Sequence, residues 1–518
     1  MPVTVPGGPG TPTVTVASGT GDVLGLSQQI SNALNTLGSS LNTTQPTISG
    51  SVTVPAAPTV GSGTQTSVIL TGSSSVNATV PGGYNYVIDN TTGQSTIVGS
   101  NIQLVGNDGG GTYSVTGSTT VVATGGNNAI YGTGKSEISA GSGNDTILIA
   151  GSGTVAGGGG SNTLVGSGST VLLSGGTKDV VFASDGNNSV NASGTGAAIF
   201  GNAGTITASI SGGNTTVAAG GANLSATLSG SGGVVFGGAG TTNLSVSGSG
   251  STLVGGTGSG TINSGASGSL IFAESGSLSV NSGSGTSTFV GGSGTATVNA
   301  TVSALAFGNT GILNFVGGSG VLSVIGGVGG QERVTVGAGG LVQVEGQGGQ
   351  ATITSGAGQA TLYGGSGSII NFVGSNKGFM WLGGSGNETI NASGSSTANT
   401  IFGSQSDSNS GARMIGGGGG DTLVAGQGTA TMSGGASSDF FTFLNNLTVG
   451  KANVITDFDT NDFVGLFGYS TVSTYAADVL NAATTDSSGV TLTLTDNTKI
   501  TFSSLTNSSQ LAGRIVSA

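Results

Sequence analysis

Cysteine and histidine are both absent from the 518 residues of this chain. No disulfide can form, and neither thiolate nor imidazole is available as nucleophile, general base or metal ligand. An exported chain of this kind must draw its stability from ladders of backbone hydrogen bonds, apolar burial or bound ions. Charge is nearly as scarce: Asp, Glu, Lys and Arg together make 5% of the chain, only 8 residues are Lys or Arg, and the net charge is −12. That balance argues against nucleic acid and against an anionic membrane surface as partners. No apolar run approaches the roughly 18 residues a membrane-spanning helix needs, so the chain is expected not to be transmembrane. The first residues, MPVTVPGGPGTPTVTVASG, have no basic start and no apolar stretch, so no cleavable signal peptide is expected there.

Glycine, by contrast, accounts for 107 residues, with Val, Ile, Thr and Ser abundant beside it. Disordered glycine-rich chains combine high charge with few β-branched residues. This composition is the opposite, and predicts many short strands separated by glycine turns.

The strands keep time. Stepping by nine residues from Leu172 through Val181, Val190 and Ile199 to Phe307, Val316, Ile325 and Val334 meets nineteen positions, all apolar. Ile353, Leu362, Trp381, Ile390, Met414, Leu423, Met432 and Phe441 continue the pattern across small insertions. Nine residues suffice for one short strand and one turn, and two such halves make an 18-residue coil. Coils of this kind stack at about 4.8 Å, the inter-strand spacing. Every second step, the apolar residue is flanked by polar ones: Ser189, Thr207, Ser225 and Asn243 before it, Asn191, Ser209, Thr227, Ser245, Asn263, Asn281 and Asn299 after it. Polar-apolar-polar alternation describes a strand with one face inward, and the flanks predict hydrogen-bonded ladders from coil to coil.

Residues 291–299, GGSGTATVN, have the outline of the calcium nonapeptide G-G-x-G-x-D-x-U-x, with Val298 as the aliphatic U and Ala296 where the aspartate belongs. These repeats resemble the RTX (repeat-in-toxin) proteins of Gram-negative bacteria. The resemblance implies a parallel β-roll whose glycine turns hold calcium through the aspartate two residues before U. In the strict block that position holds Asp only at Asp179 and Glu only at Glu332, and no Asp occurs between Asp185 and Asp407. The central roll is therefore expected to be mostly free of calcium. Acidic residues reappear at the ends. Asp145 lies in AGSGNDTIL, Glu388 in GGSGNETIN and Asp421 in GGGGGDTLV, with Asp439 eighteen residues later. Stacked on adjacent coils, Asp421 and Asp439 either share a cation or are two solvated turn aspartates.

After the last repeat, residues 439–469 read DFFTFLNNLTVGKANVITDFDTNDFVGLFGY. This is similar to the segment that closes the roll in RTX proteins of the serralysin type. The resemblance implies type I secretion on an uncleaved C-terminal signal, and calcium is one reading of Asp457, Asp459 and Asp462, a solvated turn the other. A helix near Thr474–Ala483 and strands at Val490–Leu494 and Lys499–Phe502 are expected here. At the other end, Leu26, Ile30, Leu34, Leu37 and Leu41 recur at helical spacing behind Asp22, a candidate cap. That helix either packs on its own chain or docks onto a neighbour.

The expected architecture is all-β: an arm over residues 1–82 with a helix near 22–41, a β-roll of about 18 residues per coil over 83–438, and a C-terminal cap over 439–518. With carboxylates nearly absent from the long central face, a glycosidase-like acid pair has no place to sit, so no enzyme activity is expected. The expectation is a secreted, self-assembling structural protein at the surface of a Gram-negative cell, in a surface layer or a biofilm matrix. Its partners are copies of itself and a candidate cell-surface polysaccharide. A secreted adhesin, or an ice- or carbohydrate-binding solenoid, is the second reading.

Overall fold

Glycine turns and β-branched strands coil into stacked parallel ladders throughout the computed structural model, which describes residues 3–5, 14–16, 24–45, 50–374 and 376–518. The chain divides into two units, residues 1–260 and 261–518. Each is a parallel β-solenoid in which the coil strands pair with their equivalents one coil further on. The helices among the described residues are short, the longest being α1 (Leu26–Leu37) and α2 (Tyr475–Asn481).

The first unit opens on wider coils, with Ser67 opposite Tyr86 nineteen residues on, and over residues 111–174 its coils are one residue tighter than the nonapeptide pairs predict. Gly111–Val122, Ala129–Ser139, Thr146–Ala156 and Thr163–Ser174 pair in sequence at a step of seventeen residues. Each is a single long strand interrupted by a glycine of positive φ, at Gly117, Gly134, Gly151 and Gly168. These glycines stack so closely that a Cβ on Gly151 would lie 2.3 Å from the Gly134 carbonyl oxygen. No side chain fits there, and the φ of 142° at Gly151 is itself open mainly to glycine. From Leu172 onward the step is eighteen, with two strands per coil: Asn187–Ala192 pairs with Thr205–Ile210 and that with Asn223–Leu228. The alternation predicted from sequence is present, with Asn188, Val190 and Ala192 buried between exposed Asn187, Ser189 and Asn191.

The second unit begins at the same step, Ser277–Ser282 on Thr295–Ala300. It then loses one residue and later gains one. Val298 pairs with Phe315, seventeen on, and from Val324 the spacing is mostly nineteen. A slip of one residue reverses the facing of a strand. Phe307, Val316 and Ile325, expected inward, therefore face outward, with Val316 41% and Ile325 40% exposed. Ala306, Phe315 and Val324 fill the interior instead. The phase recovers at Val334, and Ile353, Leu362, Trp381, Ile390, Met414, Leu423, Met432 and Phe441 are all buried as expected.

The expected arm carries coil strands of its own. Leu41–Thr44 pairs with Gln65–Val68, and Gly50–Thr53 with Val76–Thr79. Helix α1 lays Leu26, Ile30 and Leu34 against Ile69, Ile88, Val105 and Val122, which are successive neighbours in one strand column. It packs on its own chain, the first of the two alternatives. Gly25, in the left-handed region, precedes it with no side-chain cap, and Asp22 lies outside the described residues. Further along, the same column turns polar as Asn191, Ser209, Thr227 and Ser245. Between the two stretches the column runs through Ser139, Ala156 and Leu173, so its large apolar run under α1 gives way to polar residues by Asn191.

The C-terminal segment closes the second unit. Phe440–Leu444 pairs with Phe463–Phe467, and Ala452–Ile455 with Lys499–Phe502. Gly489–Thr493 then runs antiparallel along Lys499–Phe502, ending the parallel ladder. Phe441, Phe443, Phe458 and Phe502 fill the last coils. Helix α2 and both predicted strands stand within a residue or two of expectation.

Candidate functional site

The position two residues before each inward aliphatic residue shares its facing, because side chains alternate along a strand. The expected ligand carboxylates therefore point into the coil. Asp145, Asp421, Asp439, Asp462 and Glu388 are each at most 3% exposed, so Asp421, Asp439 and Asp462 are not solvated turn residues. Oxygens of the four aspartates are engaged by backbone amides of the preceding coil. Asn399 N–H donates to Asp421 Oδ1 at 2.7 Å, Asp421 N–H to Asp439 Oδ1 at 2.7 Å, and Asp439 N–H to Asp462 Oδ1 at 2.9 Å. The first unit repeats the device, Asn128 N–H donating to Asp145 Oδ1 at 2.7 Å, Asp145 N–H to Asn162 Oδ1 at 2.9 Å, and Asn162 N–H to Asp179 Oδ1 at 2.7 Å. Asn and Asp alternate freely because each supplies the same acceptor oxygen.

The second carboxylate oxygens fare differently. Asp421 Oδ2 accepts from Gly417 N–H at 2.6 Å and Asp462 Oδ2 from Asp459 N–H at 2.9 Å, whereas Asp145 Oδ2 and Asp439 Oδ2 are buried without a partner. Burial pushes Asp145 up to about 6. Burial, and after it the neighbouring carboxylates of Asp421, Asp462 and Asp457, push Asp439 up to about 7. Glu388, whose Oε1 accepts from Gly384 N–H at 2.9 Å, is raised by burial to about 7. Asp457 is only half-buried; it accepts from Gly434 and Gly435 N–H, both at 2.9 Å, and from Ser433 Oγ at 2.6 Å. Asp459 is exposed and caps Asn461 N–H at 2.6 Å.

These carboxylates do not by themselves make a calcium cage. Calcium takes six to eight oxygens, and most carboxylate oxygens here are already committed to N–H donors. Among the described residues, no three Asp, Glu, His or Cys side chains gather closely enough to hold a metal ion. A carboxyl carrying a proton, with one oxygen accepting an amide, satisfies the same geometry without an ion.

One buried polar cluster was not singled out as a site from sequence. Gln343 occupies an inward aliphatic position, between Val324 and Leu362 in register, and donates from Nε2 to Glu345 Oε2 at 2.8 Å. Glu345 is raised to about 8, first by burial and then by the Glu332 carboxylate beside it. Glu332 in turn accepts from Gly327 N–H at 3.0 Å. The signal lay in the sequence as the nineteen-residue spacing, which moves Gln343 onto the core face.

The outer surfaces of the two sheets differ in kind. One presents the expected polar ladders, in which Asn281 Nδ2 donates to Asn263 Oδ1 at 2.8 Å and Asn299 Nδ2 to Asn281 Oδ1 at 2.9 Å. The other sheet, made of the shorter strands, is apolar outside as well as inside. In the first unit Tyr131, Leu148, Val165, Phe182, Phe200, Ala218, Phe236 and Val254 are successive register neighbours. In the second, Phe272, Val290, Phe307, Ile325, Val344, Tyr363, Leu382 and Phe402 form the equivalent column. All are exposed or partly exposed. Phe182 and Phe200 stack with ring centroids 5.4 Å apart. Beside the second column runs a groove of about 590 Å³ lined by Leu270, Thr288, Leu305, Val321 and Ser323 together with adjoining turn residues.

No protein-family profile matches the chain, and neither the curated proteins nor the solved structures include a significant match. Among the described residues no helix is long and apolar enough to cross a membrane. The class that the fold defines is the parallel β-solenoid of about 18-residue turns, consistent with a β-roll.

Proposed function

We propose that this chain is a non-enzymatic structural protein of the cell exterior that assembles with copies of itself, as a surface layer or a matrix filament. The observation that carries this reading is the repetition of the same chemistry from coil to coil on each outer sheet face. Such a surface offers a partner a lattice of equivalent contacts rather than one pocket. The Phe-rich segment and Asp457–Asp462 resemble the terminus of RTX proteins, which supports type I export from a Gram-negative cell. The Ser, Thr and Asn face suits attachment to a cell-surface polysaccharide through hydroxyl hydrogen bonds. The coils are proposed to stand without calcium, which would have to displace amides from Asp421 and Asp439.

Electron microscopy and sedimentation of the purified protein, with calcium and with chelator, test this. Regular sheets or filaments are expected. A monodisperse monomer at every concentration and calcium level ends the reading. The hydrogen-bonded ladder of Asn263, Asn281 and Asn299 favours a second reading, a secreted adhesin or an ice- or carbohydrate-binding solenoid. Thermal hysteresis and glycan binding by the monomer distinguish it.

A further inference from the structure

We infer that the apolar outer face of the short-strand sheet is the surface on which a second copy of this chain packs, sheet face against sheet face. The inference rests on the self-assembly reading above and specifies its contact.

Four observations select a second copy as the occupant. The first is how the chain treats its other sheet. There, the outward column holds large apolar residues in succession at Ile69, Ile88, Val105 and Val122, where α1 covers it, and beyond Leu173 in the first unit it is Asn191, Ser209, Thr227 and Ser245. The short-strand face has no covering segment among the described residues, yet Phe182, Phe200, Phe236, Ile325, Val344 and Tyr363 stand 38–46% exposed on it. Apolar surface left contiguous over such a length marks an interaction site.

The second is charge. None of the residues in either column is charged. Two copies, each of net charge −12, meet there without placing like charges in contact.

The third is period. Side chains in each column recur once per coil, at the inter-strand spacing of about 4.8 Å. A second stack with the same rise can interdigitate with every coil, as paired sheets do in dry zippers. A partner of any other period falls out of step within a few coils. The mix of Phe with smaller residues, Ala218 beside Phe200 and Phe236 for instance, leaves notches for a facing ring. The groove along Leu270, Thr288 and Leu305 does the same in the second unit.

The fourth is area. In each unit the column crosses about eight coils, so at about 4.8 Å per coil and about 12 Å of strand width each strip covers about 450 Å². Each strip by itself supplies about half of the roughly 800 Å² per partner of a stable interface. The C-terminal end, closed by the antiparallel strand Gly489–Thr493, leaves lateral contact as the better route to assembly.

The experiment compares three forms by sedimentation velocity and electron microscopy at matched concentration. These are the wild type, a face variant (Phe200→Lys, Phe236→Lys, Ile325→Lys, Tyr363→Lys), and a control with Lys at exposed polar-face positions (Thr207→Lys, Asn281→Lys). Unchanged β circular dichroism establishes that each folds; if the Lys set does not, the same four positions as Ser replace it. The expected result is assembly of the wild type and control, with at least a tenfold rise in the concentration at which the face variant assembles. Because the chain has no cysteine, a single Ala218→Cys gives a second readout: oxidised dimer from the assembled state, and none from Thr207→Cys. Equal assembly of wild type and face variant overturns the inference while sparing the self-assembly reading, as does disruption by the control alone. A wild type that stays monomeric overturns both. A monomer that binds lipid vesicles through this face assigns the surface to a different occupant.

Discussion

Asp439 carries the sharpest consequence of the buried carboxylate column. One oxygen accepts from Asp421 N–H, and the other is buried without a partner. Asp439→Ala strands a buried amide and is expected to cost about 1–3 kcal/mol in chemical denaturation. Asp439→Asn keeps the acceptor and removes the charge, and Asn162 shows how the new amide is satisfied, donating to the Gly159 carbonyl at 3.1 Å. That variant should match or exceed wild-type stability at pH 8. The sign of the pH dependence follows from the raised carboxyls. A group that holds its proton more tightly when folded stabilises the fold fully below its unfolded value, near 4, and loses that contribution as pH rises through the folded value. With Asp145 at about 6, Asp439 and Glu388 at about 7 and Glu345 at about 8, the melting temperature should be highest near pH 4 and fall towards pH 8. Calcium-bound carboxylates would reverse that slope, so the same titration with and without calcium also tests whether the column takes an ion.

Strands and turns have their own tests. Gly151 sits where neighbouring coils touch, backbone against backbone, at 2.3 Å for a hypothetical Cβ. Gly151→Ala must part the coils and is expected to cost about 1–3 kcal/mol or more, seen as faster amide exchange in residues 129–174. Ile262 is fully buried, and Ile262→Asp should cost several kcal/mol, on the order of that for an unpaired polar or charged group in the core. An unchanged melting curve would mean that residue does not face inward. Asn281, by contrast, lies exposed in its ladder, and Asn281→Ala should cost no more than about 1 kcal/mol.

For the chain as a unit of assembly, stability and association are separable quantities. Core residues such as Trp381, fully buried, set the first: Trp381→Ala should cost about 3–5 kcal/mol, with protection lost mainly in neighbouring coils, because each coil contacts only its neighbours. Outward residues such as Phe236, 46% exposed, set the second, and their substitution should leave melting nearly unchanged while altering sedimentation.

The nine-residue beat, the helix at Leu26–Leu37 and the closing strands were legible in the chain because each rests on local rules: alternation along a strand, helical spacing, and glycine at turns. Residues two before each aliphatic position were legible as a series, and the same alternation turns them inward, making Ala296 and Leu278 core residues as naturally as Asp421. The slip between Val298 and Phe315 was hidden because a one-residue loss in a glycine turn leaves composition untouched while reversing a strand. The apolar column of Phe182, Phe200 and Phe236 was present at every other step, but its exposure depends on which sheet the strand joins and what lies over it. Periodicity is a property of the chain alone and so determines that coils form and how many residues each takes. Facing, cover and the fate of each buried carboxylate depend on contacts between residues sixteen or more apart, which exist only once the coils have stacked.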